Sequence, residues 1–361
     1  MTPWRVTALG LPDGHPVEGG IDRHGRWTDA PPADAEPLPG RFVLAGLVDA
    51  HCHLSIADGG AAAGPRPLPL PQARQNLRAA QRAGITLVRD MGSPGAVTLR
   101  MPTAGEGAGL LAAGRFLAPP GGYFPELHEP VTAGGLVQAA LDQIAAGARW
   151  VKLIGDFPAI DQGVLRPDLA GPTYRIDDVR RLVRAVHEAG ARVAAHTTTA
   201  WAADLVAAGV DSIEHGDALT GDALRALAER GGAWTPTLCA VLAPAPADDP
   251  ERRRRWAERR ERLVHLLDEA VRHRVTVLAG TDVVGNLPHE VRLLTELGLP
   301  PQSALAAASS NARRYLLTGD TAGDFTPGRP ANLVTYHDDP RDDPEVLRRP
   351  AATFAAGRRL L

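Results

Sequence analysis

The feature that most constrains this chain is a repeated switch between two textures over residues 47–320. Short apolar runs alternate with longer stretches of helical spacing, and the alternation occurs eight times. The apolar runs are LVDAHCHL, TLVRDMG, RFLAPPG, WVKLIGD, RVAAHTT, DSIEHGD, AWTPTL and TVLAGTD. Between them lie Ala-, Leu- and Arg-rich segments such as ARQNLRAAQRAG, VRRLVRAVHEAG, WAADLVAAG and ALRALAERGG. Gly84, Gly190, Gly209 and Gly231 close these segments, where a helix C-terminus favours a residue that turns left-handed. Short buried strands that each feed a helix build a parallel sheet, and eight such units close a barrel. The expected fold is α/β: a (β/α)8 TIM barrel over residues 47–320.

The two ends read differently. Residues 1–46 contain WRVTALG, RHGRW, a proline-rich stretch from Pro31 to Pro39, and RFVLAG, while residues 321–361 contain ANLVTYH and ATFAAGRRLL. Neither end sustains a helical period, and neither buries a sheet face alone. The two are expected to combine into one small β-sandwich domain. Residues 58–73 are rich in Ala, Gly and Pro and read as a mobile loop after the first strand.

Charge and composition exclude several classes of partner. Net charge is −3, which gives no electrostatic reason to expect nucleic acid or an acidic membrane surface. The run ERRRRWAERRERLVHLL is interleaved with Glu and offers Trp256, Leu263 and Leu266 as an apolar stripe, so it reads as a solvated amphipathic helix. No stretch reaches the ~18 apolar residues of a membrane span. Two distant cysteines, Cys52 and Cys239, and a start without a secretory pattern make a cytoplasmic protein the expectation. Exposed helices leave a homo-oligomer open.

One count points to chemistry. Among 39 basic residues there is a single lysine, Lys152. A surface lysine changes to arginine at little cost, whereas a lysine whose primary amine is needed does not, because a guanidinium cannot replace it chemically. Lys152 lies in the run WVKLIGD. The motif His51-Cys52-His53 ends the first run, and residues i and i+2 of a strand point the same way, so both imidazoles face the barrel axis. His196, His215 and Asp282 end three further runs. All strand C-terminal ends of a (β/α)8 barrel converge on one face, so four imidazoles, a carboxylate and the lone amine are expected at one site suited to a divalent metal. His187, His265 and His273 fall in helical segments; His128 and His289 fall in loops, from which a substrate is within their reach.

These pieces resemble the amidohydrolase superfamily, specifically its imidazolonepropionase-like and prolidase-like members. The resemblance is carried by GLVDAHCHL, GITLVRDMG, VKL, VAAHT, GVDSIEHG, AGTD, HEVRLLTELGLPPQSALAAASSNARRYL and the tail PGRPANLVTYHDDP, and spans nearly the whole chain. It implies two divalent ions, zinc as the favoured metal, with His51, His53 and Asp282 on the first and His196 and His215 on the second. Lys152, carrying a CO2-derived carbamate, would bridge them, and Asp282 would also move the proton of the attacking hydroxide to the leaving nitrogen. The implied activity is hydrolysis of a small-molecule amide: a dipeptide, an N-acyl amino acid or a cyclic amide. The alternatives are a mononuclear imidazolonepropionase-type enzyme with Lys152 structural, an ester or phosphoester hydrolase on the same site, and a binding protein without activity. Ala45 replaces the proline usual before GLVDAH, and the third run leads into APPGGYFPELHEP, where Tyr123, His128 or neither contacts substrate. Trp201 reads as helix packing rather than as a pocket residue.

Overall fold

The computed structural model describes residues 1–60, 64–101, 109–161, 164–243, 249–317 and 325–361. The amino-terminal flank forms β1 (Trp4–Gly10), β2 (His15–Ile21), β3 (Trp27–Thr28), β4 (Glu36–Pro37) and β5 (Phe42–Ala45). After Gly46 the chain enters β6 (Leu47–Cys52) in a different sheet. A Cβ on Gly46 would lie 2.0 Å from Thr86 Oγ1, so the crossing requires glycine. Next come β7 (Ile56–Ala57), β8 (Arg66–Pro67), β9 (Ile85–Asp90), β10 (Gly109–Ala112), β11 (Phe116–Leu117) and β12 (Trp150–Ile154). The chain continues through β13 (Asp156–Asp161), β14 (Val164–Pro172), β15 (Arg192–Thr197), β16 (Ser212–His215), β17 (Ala233–Thr235) and β18 (Thr276–Val277). The carboxyl-terminal flank adds β19 (Leu333–Tyr336), β20 (Ala352–Ala355) and β21 (Arg358–Arg359).

The eight apolar runs all fall on two parallel sheets, ordered β10-β9-β6 and β11-β12-β15-β16-β17-β18. Every residue of β6, β12 and β16 is buried, which is why these strands read as continuous apolar runs rather than as alternation. The two sheets are joined by chain continuity at one margin and by backbone hydrogen bonds at the other. On one side β10 runs through residues 113–115 into β11. On the other, Ala50 N–H donates to Ala279 O at 2.9 Å and Asp282 N–H to His51 O at 2.7 Å.

Helices cover the outside, as their periodicity requires. Helix Ile176–Glu188 buries Val179, Leu182, Val183 and Val186 while Arg180 and Arg184 face water. Helix Pro250–Arg272 buries Leu263, Leu266, Leu267 and Ala270, and its half-buried Trp256 donates Nε1–H to Leu242 O at 2.9 Å. The solvated-face reading of the arginine-rich run holds for most of its length. Gly84, Gly190, Gly209 and Gly231 all adopt positive φ at helix ends. No helix among the described residues is long and apolar enough to cross a membrane.

The expected mobile loop at 58–73 is corrected in part. Arg66–Pro67 pairs with Ile56–Ala57, and a helix starts at Leu70, because Pro69 and Pro71 fix φ values suited to a first turn; residues 61–63 lie outside the described residues. The antiparallel pair β13–β14, inserted directly after β12, is a feature the alternation did not announce.

The two flanks share one sheet, ordered β21-β20-β19-β5-β1-β2-β3, with β4 on β1. The join is antiparallel between β19 and β5, with Leu333 opposite Ala45 and Tyr336 opposite Phe42. Val6, Ile21, Trp27, Leu38, Val43, Leu333 and Phe354 pack together on it. The expected boundary at 320/321 lies outside the described residues.

Candidate metal centre

The C-terminal ends of β6, β12, β15, β16 and the segment after β18 bring His51, His53, Lys152, His196, His215 and Asp282 to one cavity of about 680 Å³. Ring centroids are 5.3 Å apart for His51 and His53, 5.2 Å for His51 and His215, and 4.5 Å for His196 and His215. His53 Nε2 lies 3.4 Å from Asp282 Oδ1. Metal-competent atoms of His51, His215 and Asp282 all lie within 4.8 Å of one another. As the strand period requires, Cys52 faces the other way, into a cluster with Leu77 and Ala73 of the helix Leu70–Arg82.

Three imidazoles are oriented by their second nitrogen. His51 Nδ1 bonds Glu214 Oε2 at 2.6 Å, His53 Nδ1 bonds Gly92 O at 2.9 Å, and His215 Nδ1 bonds Thr237 Oγ1 at 2.6 Å. A carboxylate or carbonyl partner requires Nδ1 to carry the hydrogen, so Nε2 of His51 and His53 is left as a lone-pair donor. Burial keeps these rings neutral. It holds His196 down to about 3 and His51 and His215 well below the ordinary imidazole range, and it lowers His53 against the opposing pull of Asp282.

Two nitrogens of this six-residue set are anomalous. His51 Nε2 and Lys152 Nζ are buried and have no hydrogen-bond partner among the described residues, Lys152 being only 1% exposed. Unpaired buried polar atoms are costly and rare in a folded protein. Burial also brings the Lys152 amine down to about 8, against the pull of Glu214 and Asp282, so about a tenth of it is neutral at pH 7. Neutral imidazoles with free Nε2 atoms, a carboxylate and a depressed amine form a nitrogen and oxygen donor set that fits divalent zinc-like ions. Two of the six residues also hold left-handed backbone conformations, with φ of 66° at His215 and 55° at Asp282. These are held by Trp234 Nε1–H donating to His215 O at 2.7 Å and by the Asp282 N–H bond to His51 O.

Beneath the cluster lies a charged network that the sequence reading missed. Glu214, fully buried, accepts from Arg89 Nη2 at 3.0 Å and Ser212 Oγ at 2.5 Å besides holding His51. The Arg89 guanidinium stacks 4.5 Å from the Trp150 ring. The available signal was an ionisable residue inside an apolar strand, in TLVRD and in SIEH. Asp49 accepts Thr281 Oγ1–H at 2.6 Å and Thr281 N–H at 3.2 Å, tying β6 to the loop that carries Asp282; burial pushes its carboxyl up to about 7. Asp156 gathers Thr198 N–H at 2.9 Å and Thr199 Oγ1–H at 2.9 Å, fixing the turn after His196.

The cavity walls differ in character. Tyr123, Phe124 and Leu127 line one side, with Tyr123 centred 4.9 Å from both Phe116 and Phe157. His128 lies outside this lining; its ring sits between Phe124 O, 2.9 Å from Nδ1, and Pro119 O, 3.3 Å from Nε2, so it is turned onto its own loop. His289 sits in the first turn of the helix Leu287–Glu296, also away from the lining. Trp201 is half-buried against the helical core, in keeping with the packing reading. The lining also includes Asp217, Arg252 and Arg259, so two arginines of the run assigned to a solvated face border the cavity.

A model of the amidohydrolase family matches residues 42–360. Uncharacterized proteins of Mycobacterium bovis and Mycobacterium tuberculosis are each 33% identical over 376 residues, covering 98% of this chain and 94% of their own. Among solved structures, an Xaa-Pro dipeptidase with bound methionine aligns with a TM-score of 0.81 at 22% identity, over 99% of both chains. An ochratoxinase of A. niger aligns with a TM-score of 0.78 at 17% identity, over 99% of this chain and 95% of that one. At these identities the structures establish likeness of fold.

Proposed function

Because the chain belongs to the amidohydrolase family and is a hydrolase, we propose that it cleaves a C–N amide bond in a small molecule at a centre of two divalent ions. The observation that carries this reading is the pair of orphaned atoms, His51 Nε2 and Lys152 Nζ, lining the same cavity as His53, His196, His215 and Asp282. His51, His53 and Asp282 would hold one ion and His196 and His215 the other, with zinc the metal suited to the set. Lys152 would stand between them as a carbamate, formed when its neutral amine adds to CO2 and releases one proton. Bound ions of this kind polarise a carbonyl and acidify water.

The chain's own groups do the rest. Asp282 accepts the proton of the attacking water and returns it to the leaving nitrogen. Glu214 keeps His51 in the tautomer that presents Nε2. Tyr123 and its aromatic neighbours form an apolar wall that takes the substrate's apolar part and excludes bulk water. A second reading, with one ion on His51, His215 and Asp282, is favoured by the tight approach of those three donors; the same site would then serve a cyclic amide, and an ester would be open to the same attack. The backbone bonds between β6 and the segment after β18 support a (β/α)8 barrel over 47–320, and the β19–β5 join supports one composite β domain of 1–46 and 321–361, proposed as a β-sandwich.

The test separates ligand from proton carrier. His51→Ala should lose metal and regain part of its activity on added Zn²⁺. Asp282→Asn should retain more metal, yet turn over no amide at any pH. Elemental analysis showing at most one ion per chain under saturating Zn²⁺, with Lys152 unmodified by ¹³C NMR, selects the single-ion reading. Rescue of Asp282→Asn by metal to near wild-type rate would overturn the proton-carrier role.

A further inference from the structure

A second cavity, of about 530 Å³, borders the start of β18, at the end of that strand away from Asp282. Its walls come from the last turn of the helix Pro250–Arg272, from β18, and from the helices Pro301–Ala307 and Ser310–Leu316. Arg274 and Arg314 lie in its lining, which holds no Asp or Glu. Arg314 Nη1 donates to Asn311 Oδ1 at 2.9 Å, while the Arg274 guanidinium makes no hydrogen bond or ion pair among the described residues. Arg274 also breaks a rule that the chain keeps elsewhere. The helices Leu70–Arg82, Leu136–Ala145, Ile176–Glu188, Ala202–Ala207 and Gly221–Glu229 each lead straight into a strand of the parallel sheets. Each ends on a glycine of positive φ: Gly84, Gly147, Gly190, Gly209 and Gly231. The helix Pro250–Arg272 leads into β18 in the same way, yet Arg274 takes the glycine's place, with φ of 56°. The turn is complete without its side chain, because Arg274 N–H donates to Val271 O at 3.1 Å and Val275 N–H to Ala270 O at 2.9 Å. A side chain at this φ strains a backbone that glycine would leave relaxed. The guanidinium is therefore kept for something other than the turn, and the cavity is what it borders.

We propose that this cavity binds a small organic anion, its carboxylate or phosphate head held by Arg274 and Arg314 and its apolar body set against Val271, Val277 and Tyr315. Guanidinium groups match either head with paired N–H donors. Val271 is 43% exposed, so an apolar body has carbon surface to cover there. Ser303 and Asn311 add neutral polar groups to the same lining. The volume is that of a small-molecule site. It is separate from the metal centre, since no described residue lines both cavities.

Calorimetric titration of the full chain with 4-phenylbutyrate, phenyl phosphate and the neutral 4-phenylbutanol tests this. At least one anion should bind, and at least about tenfold more tightly than the alcohol. Which anion binds more tightly assigns the head. Arg274→Gly and Arg314→Gln should each weaken that binding by about fivefold or more. His51→Ala, which alters only the metal centre, should leave it unchanged and so separates this cavity from anion binding at bound metal. Arg274→Gly should melt no lower than wild type, since glycine takes the same φ without strain, and should hydrolyse substrate at the wild-type rate. No binding of either anion, equal binding of the alcohol, or affinity unchanged in both arginine variants overturns the proposal. So does a loss of fold in Arg274→Gly, which would make the side chain a structural support, and so does binding that disappears in His51→Ala.

Discussion

The strand ends of the two parallel sheets and the sheet shared by the flanks bury their side chains equally well, with opposite contents. In the flank sheet Val6, Ile21, Trp27, Val43, Leu333 and Phe354 are at most 4% exposed and apolar, and burial there contributes stability by removing carbon from water. At the strand ends His51, Lys152 and Glu214 are at most 1% exposed and ionisable. There burial opposes charge, lowers the amine and imidazoles, and leaves His51 Nε2 and Lys152 Nζ without partners among the described residues. Depth alone does not distinguish a core from a site. The kind of group does: the unpaired Tyr336 and Thr353 hydroxyls of the flank sheet are neutral, whereas the buried groups at the strand ends are ionisable and gathered on one cavity.

The sharpest way to break this contrast is to give the strand ends a side chain the rest of the chain tolerates. Lys152→Arg should reduce amide hydrolysis by about 10⁴-fold or more and lower metal content, since a permanent cation would occupy the place assigned to a bridging anion. Lys152→Ala should also be inactive, but activity should rise with added propionate, whose carboxylate can enter the vacated slot, while Lys152→Arg stays dead. Near-normal activity in Lys152→Arg would make the lone lysine an accident of composition.

The converse change belongs in the flank sheet. Phe354→Ala should lower unfolding free energy by about 3–5 kcal/mol, as large-to-small changes in packed cores do. The kcat of the protein that remains folded should stay within about twofold of wild type. A large fall in kcat at unchanged metal content would show that the flank sheet shapes the site rather than only supporting the fold.

Glu290 lies between the two cases: fully buried and ionisable, yet accepting from Leu238 N–H and Cys239 N–H at 2.8 Å each. Burial raises its carboxyl from 4.5 to about 7. Between those values the folded chain holds a proton that the unfolded chain has released. Its contribution to stability is therefore full below about 4.5 and is lost as pH rises through about 7. Relative to Glu290→Gln, the wild type should lose up to about 3 kcal/mol of unfolding free energy across that window. Urea denaturation of both proteins at several pH values measures it, and parallel curves would refute the raised carboxyl.

By itself the sequence determined the eight apolar runs, the union of the two flanks, the shared facing of His51 and His53, and the singular position of Lys152. These are local or countable properties: run length, a period of two along a strand, helix-ending glycines, one lysine among 39 basic residues. Only the tertiary structure decided which buried groups find each other. Glu214 meets His51 across 163 residues, Arg89 meets Glu214 across 125, and Arg259 reaches Asp217 from a helix that reads as a solvated face. It also kept Tyr123 on the cavity wall and turned His128 onto the carbonyls of its own loop. Such pairings leave no periodicity in a sequence, because strand register and the turns that follow each strand set them, and those are fixed only when the sheets pack.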